Sequence, residues 1–133
     1  MRHISHIVVH HTASTHSTFD SVINWHMTGN GWDRERSGYH YMISKEGIVF
    51  ESNPITRAVW HCKGHNQESI GISLLGDFMV EPVSGGQMGA LRGLLLSLQA
   101  EFPNAIVVPH CSLGSTSCPG TNLLTILNAE GLI

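Results

Sequence analysis

Ile4-Ser5-His6-Ile7-Val8-Val9-His10-His11-Thr12-Ala13 is an apolar, β-branched run that stops at a cluster of polar residues. Such a run predicts a short buried strand from Ile4 to His10, which places His10 at a strand end. A second run, Ile106-Val107-Val108-Pro109, leads in the same way to His110, and Cys118 follows in the next loop, just before Pro119-Gly120. Two imidazoles at the ends of buried strands and a thiol in a constrained loop are rigid supports for a metal. Zinc held for hydrolysis takes three nitrogen or sulfur ligands and keeps a fourth position for water. His10, His110 and Cys118 supply that set.

The stretch between these anchors alternates in periodicity. Phe19, Val22, Ile23, His26 and Met27 recur at helical spacing, with Ser17 or Thr18 as the cap and Gly29 as the stop. Gly29 to Gly38, with Trp32 inside it, reads as a loop bordering a groove. Tyr39-His40-Tyr41-Met42-Ile43 and Ile48-Val49-Phe50 flank Lys45-Glu46-Gly47 as a hairpin, with Tyr39 opening the first strand. Asn53 to Gln67 lacks periodicity and is expected to cross the active face as an irregular connection. Ile70 to Leu75 reads as a central strand covered on both sides. After the Ser84-Gly85-Gly86 break, Met88, Leu91, Leu95 and Leu98 form a strong helical stripe, and Leu123, Leu124, Ile126 and Leu127 mark a closing helix. Strands alternating with helices predict an α/β fold, in which one domain over residues 1–133 has a mixed central β-sheet flanked by about three helices.

A chain of 133 residues buries a core without disulfides or a structural metal, which leaves a metal free to be catalytic. The hydrophobic share of 41% against 13% charged residues describes a globular protein. A formal charge of −3 and the lack of any Lys/Arg cluster argue against nucleic acid as a partner. No run approaches the roughly 20 apolar residues that span a bilayer, and Met1-Arg2-His3 lacks a signal-peptide pattern. The expectation is a protein made and kept in a cytoplasm until something releases it, with no membrane partner and nothing requiring more than a monomer. Ten histidines outnumber the seven lysines and arginines, which favours metal binding, although His3, His6 and His16 read as surface or strand-edge positions. The three cysteines are expected to be reduced, because a Cys111–Cys118 bridge takes the thiolate from the metal.

Five segments, in order, carry a family resemblance: Val8-Val9-His10-His11-Thr12-Ala13, Ser37-Gly38-Tyr39-His40-Tyr41, Trp60-His61-Cys62-Lys63-Gly64-His65-Asn66, Ser69-Ile70-Gly71-Ile72 and Thr116-Ser117-Cys118-Pro119-Gly120. With them the chain resembles the type 2 N-acetylmuramoyl-L-alanine amidases, the family of small phage lysozyme-type amidases and peptidoglycan recognition proteins. The resemblance implies a zinc (Zn2+) enzyme. Its substrate would be bacterial peptidoglycan, cut at the amide between N-acetylmuramic acid and L-alanine. Zinc brings the pKa of its bound water to about 7 and polarises a carbonyl. Tyr39 and Thr116 are implied as the catalytic donors to the developing oxyanion. Thr116 stands where some phage members have lysine, so it offers one neutral hydrogen bond rather than a full charge. Trp60, His61 and Asn66 match a segment beside the groove and are expected to contact substrate.

The minimal chain suggests a phage or prophage endolysin that reaches the wall through a holin-type or other delivery route. Two other readings stand beside it. One is a non-catalytic peptidoglycan-binding module of the same fold, whose members typically lose the cysteine ligand. The other makes Cys118 a nucleophile activated by His110. His11 is expected to face away from His10, since strand side chains alternate, and His40 to be a sheet residue.

Overall fold

The computed structural model describes residues 2–34 and 38–133. Ser37 of the second family segment, with Met1, Glu35 and Arg36, lies outside the described residues. In chain order the elements are β1 (His6–His11), α1 (Phe19–Asn24), β2 (Tyr41–Ile43), β3 (Val49–Glu51), β4 (Ser69–Leu74), α2 (Gly85–Glu101), β5 (Ile106–Pro109) and α3 (Thr121–Ala129). The five strands form one mixed sheet in the order β3-β2-β4-β1-β5. All neighbours are parallel except the β2–β3 hairpin. This is the expected α/β architecture.

Alternation along β1 and β4 decides which face holds what. Ile7 and Val9 of β1, with Ile70, Ile72 and Leu74 of β4, pack with Leu91, Leu95, Leu123 and Leu127 of the helices in the main core. Each fully buried aliphatic side chain contributes about 1.5–3 kcal/mol to the fold. Residues one position out of phase, Val8 and His10 on β1 and Ser69, Gly71 and Ser73 on β4, therefore face the other way. Over β2, that second face is closed by Val22, Met42 and Leu75 together with Phe19 and Ile23 of α1. Beside His10 it stays polar.

Several boundaries differ from expectation. β2 begins at Tyr41, so Tyr39 precedes the strand rather than opening it. The carbonyl of His40 accepts from both Ser52 N–H and Asn53 N–H, two residues against one, which distorts the ladder as a bulge does. The first helix loses α geometry at Trp25 and runs to Gly29 as a π turn, with Asn30 N–H bonded to the Trp25 carbonyl. Here the Thr28 hydroxyl donates to the Asn24 carbonyl at 2.6 Å. α2 starts directly at Gly85 because Ser84 and Gln87 cap each other reciprocally. Gln87 is itself buried and donates to the Leu75 carbonyl at 2.9 Å, which ties the helix to the end of β4. Between residues 53 and 67 the chain is irregular, as expected, and Arg2 holds it down by donating to the carbonyls of Ile55, Asn66, Gln67 and Ser69. Among the described residues no helix is long and apolar enough to cross a membrane.

Candidate metal centre and groove

His10 lies near the end of β1 and is 1% exposed. His110 opens the short 3-10 turn that follows β5. The loop after that turn returns Cys118 to the same place, with Cys111 N–H donating to the Cys118 carbonyl. One donor atom from each of His10, His110 and Cys118 lies within 4.8 Å of the others. The His10 and His110 rings are 4.5 Å apart between centroids, and His10 Nδ1 is 3.7 Å from Cys118 Sγ. His110 Nδ1 is buried and has no hydrogen-bond partner. An unpartnered buried nitrogen costs about 1–3 kcal/mol, and a cation shared with the other two donors satisfies it.

The electrostatics fit the same group. Burial pushes the His10 pKa well below its ordinary value, with the neighbouring His61 and His110 adding to the effect. Burial likewise lowers His61 strongly and lowers His110. Neutral imidazoles with free lone pairs are what metal ligation requires. Burial raises the Cys118 thiol to about 12, against the opposing pull of the His11 N–H, which donates to Sγ at 3.3 Å. A nucleophilic cysteine has a lowered pKa and an accessible sulfur, whereas Cys118 is buried and its thiol raised, which counts against the Cys118–His110 nucleophile reading. A divalent cation, by contrast, removes the proton of a coordinating thiol outright. The residues fit zinc, whose tetrahedral sites take nitrogen and sulfur donors. All three cysteines are free.

Two concave surfaces flank this group. Tyr39 sits 5.0 Å from the His10 ring and helps line a cavity of about 370 Å³ with Thr12, Ser17, Trp25 and His26. His26 reaches Tyr39 because Gly38 has φ +72° and no side chain, where a Cβ would meet the His26 ring at 2.3 Å. Burial pushes the Tyr39 phenol upward, so it stays protonated. On the other side Trp32, Trp60, His61, Lys63, Asn66 and His110 line a cavity of about 380 Å³. Trp60 stands edge-on to Trp32 at 5.8 Å and is 37% exposed.

The expected contact residues divide by what their polar atoms already do. Thr116 is exposed, and its Oγ1 accepts the Cys118 N–H at 3.2 Å, which leaves its own hydrogen free to donate outward. Asn66 turns its Oδ1 inward to accept from His61 N–H and Cys62 N–H at 3.0 and 2.8 Å, so its carbonyl holds the loop rather than facing the groove. His61 lines the cavity, but both its ring nitrogens are engaged, one with His10 and one with Ser69, each at 2.9 Å. His11 points to the opposite face, where its Nδ1 accepts the Phe78 N–H. His40 lies buried just before β2, where its N–H donates to the Gly71 carbonyl and its Nδ1 accepts the Gly71 N–H.

Sequence reasoning missed Ser69 and Ser73. Both are fully buried on β4, and Ser73, which faces Tyr39, makes no hydrogen bond of ordinary length. The available signal was the alternation Ser69-Ile70-Gly71-Ile72-Ser73, serine or glycine at every second place in a strand covered on both sides.

Comparison with known proteins agrees with this geometry. The family model for N-acetylmuramoyl-L-alanine amidase (Amidase_2) matches residues 1–121. Peptidoglycan-recognition protein SC2 of Drosophila melanogaster is 31% identical over 132 residues, covering 91% of this chain and 71% of that protein. An endolysin of Klebsiella phage KP32 is 32% identical over 122 residues, covering 85% of this chain and 79% of the phage protein. Among solved structures, the N-acetylmuramoyl-L-alanine amidase LysC from Clostridium intestinale URNW superposes with a TM-score of 0.87 at 27% identity, over 99% of this chain and 88% of that one. With its mixed sheet, its His-His-Cys group and its matched segments, the chain belongs to the N-acetylmuramoyl-L-alanine amidase family.

Proposed function

We infer that this chain is a zinc-dependent N-acetylmuramoyl-L-alanine amidase that hydrolyses the amide between N-acetylmuramic acid and L-alanine in peptidoglycan, with its catalytic domain in residues 1–133. The observation that carries the reading is the convergence of His10, His110 and Cys118 within 4.8 Å, beside Tyr39 and between two cavities. Zinc held by these residues supplies a Lewis acid and a water acidic enough to ionise near neutral pH. The protein's own residues do the rest.

The protonated Tyr39 hydroxyl, half-buried in the wall of the cavity beside His10, is a donor that can be aimed at a developing oxyanion. Thr116 offers a second donor from the rim. Trp60 and Trp32 present aromatic edges and faces to the sugar or peptide, and Lys63 brings a positive charge to the same cavity for a stem-peptide carboxylate. The similarity to phage endolysins supports a role in wall lysis, in which a holin-type route delivers the protein to the wall. Similarity to peptidoglycan-recognition proteins keeps a binding-only module as the alternative.

The deciding experiment measures release of L-alanine amino termini from purified peptidoglycan by zinc-loaded protein, by chelator-treated protein with zinc added back, and by Cys118→Ser. Activity that is lost with chelator, restored by zinc and absent in Cys118→Ser supports the zinc amidase. Wall binding without release by the loaded protein points to the recognition module, and chelator-resistant release overturns the metal reading.

A further inference from the structure

Three hydrogen bonds run in line from the interior to the metal group. Ser69 Oγ lies 2.6 Å from the His65 carbonyl oxygen and 2.9 Å from His61 Nε2. His61 Nδ1 lies 2.9 Å from His10 Nε2. The polarity of this series follows from its inner end. A carbonyl oxygen only accepts, so the Ser69 hydroxyl hydrogen is committed to His65. Ser69 Oγ therefore accepts from His61 Nε2–H. A neutral imidazole carries one N–H, which leaves His61 Nδ1 bare to accept from His10 Nε2–H. The remaining lone pair of His10 is on Nδ1, the nitrogen that faces Cys118 Sγ at 3.7 Å.

We propose that Ser69 and His61 are positioning residues of the metal centre, a relay of fixed polarity anchored on the His65 carbonyl that holds His10 as its Nε2–H tautomer and presents Nδ1 as the ligand. The relay is shielded from competing water, with Ser69 0%, His10 1% and His61 9% exposed. Its middle member is held by packing as well as by hydrogen bonds. Gly71, between Ser69 and Ser73 on the same strand face, has no side chain, and a Cβ there would fall 2.6 Å from His61 Nδ1. The backbone of His61 is also held, its N–H donating to Asn66 Oδ1 at 3.0 Å. A partner that fixes the tautomer of a ligating histidine also raises its basicity, and its removal typically costs 10–100-fold in metal affinity.

The proposal rests on the metal reading of the site, but the polarity of the relay is a property of the metal-free chain and is measured separately. Nitrogen NMR of metal-free, histidine-labelled protein should show His10 and His61 each protonated at Nε2 and bare at Nδ1. Zinc affinity by chelator competition should fall about 10–100-fold in Ser69→Ala and in His61→Ala. His61→Asn, whose side-chain oxygen replaces Nδ1 as the acceptor, should retain most of the affinity. If Ser69→Ala does not fold, the contrast between His61→Asn and His61→Ala carries the comparison.

A purely structural role would lower the melting temperature of these variants without moving the tautomer or the affinity, and that result overturns the proposal. So does an Nδ1–H on His10 in the wild type. A wild-type chain with the Nε2–H tautomer that binds no zinc would overturn the metal reading of the site while supporting the polarity of the relay.

Discussion

Replacing Gly71 with alanine drives a methyl group into the ring of His61. The added Cβ would lie 2.6 Å from Nδ1, 2.7 Å from Cγ and 3.0 Å from Cε1. Ordinary contact begins near 3.4 Å, so the ring must retreat by about 0.8 Å, the difference between 3.4 and 2.6. A ring displaced that far cannot keep 2.9 Å bonds to both His10 and Ser69, because hydrogen bonds fail by about 3.6 Å.

Two effects of opposite sign then compete. Alanine restricts the unfolded chain and stabilises by about 0.4–1 kcal/mol. Overpacking costs about 1–3 kcal/mol, and a buried hydrogen bond lost adds about 1 kcal/mol more. The clash wins by about 2 kcal/mol. At about 2.1 cal/mol/K per residue over 133 residues, the unfolding entropy is about 0.28 kcal/mol/K, so the melting temperature should drop by about 7 °C. Calorimetry of the metal-free protein reads this directly, and chelator competition should show zinc affinity falling by about tenfold or more. A Gly71→Ala protein with an unchanged or raised melting temperature and wild-type zinc affinity would refute the placement of His61.

Tyr39→Phe removes the phenol donor but no proposed ligand, so kcat on peptidoglycan should fall about 10²–10³-fold with zinc affinity unchanged; a loss of zinc would instead place Tyr39 in the metal's own support. Acid should destabilise the metal-free protein. Burial holds the folded His40 pKa at about 4 against 6.5 when unfolded, so the unfolded chain binds more protons as pH falls below 6.5. His40 alone then removes about 3 kcal/mol between pH 6.5 and 4, and urea titrations showing equal stability at pH 7 and pH 4.5 would contradict this. Arg2→Ala releases the carbonyls of Ile55, Asn66, Gln67 and Ser69. It should cost about 2–3 kcal/mol and raise hydrogen exchange across residues 55–69, whereas unchanged protection there would deny the clamp.

Periodicity made much of this protein legible. The stripe Met88, Leu91, Leu95 and Leu98 is the buried face of α2, since a helix repeats its environment every 3.6 residues. The runs before His10 and His110 are strands, and the two strand-end histidines and the loop cysteine that residue chemistry pointed to as one donor set do converge. The alternation rule also turned His11 to the far face. Each of these depends on local pattern or on what one side chain can bind.

Tertiary structure decided what depends on distant partners. That His10 and His110 meet on one sheet face follows from β1 lying between β4 and β5, an order that strand patterns do not encode. His61 and Asn66 read as groove contacts from the family resemblance, and both line the cavity, but the segment 60–66 has no periodicity to show which of their atoms turn inward. Only the folded chain brings Asn66 Oδ1 under the loop backbone and His61 between Ser69 and His10. A sequence lists donors and acceptors, but the direction of a hydrogen-bonded series is set by its end group, here the His65 carbonyl against Ser69, and that neighbour is known only once the chain has closed.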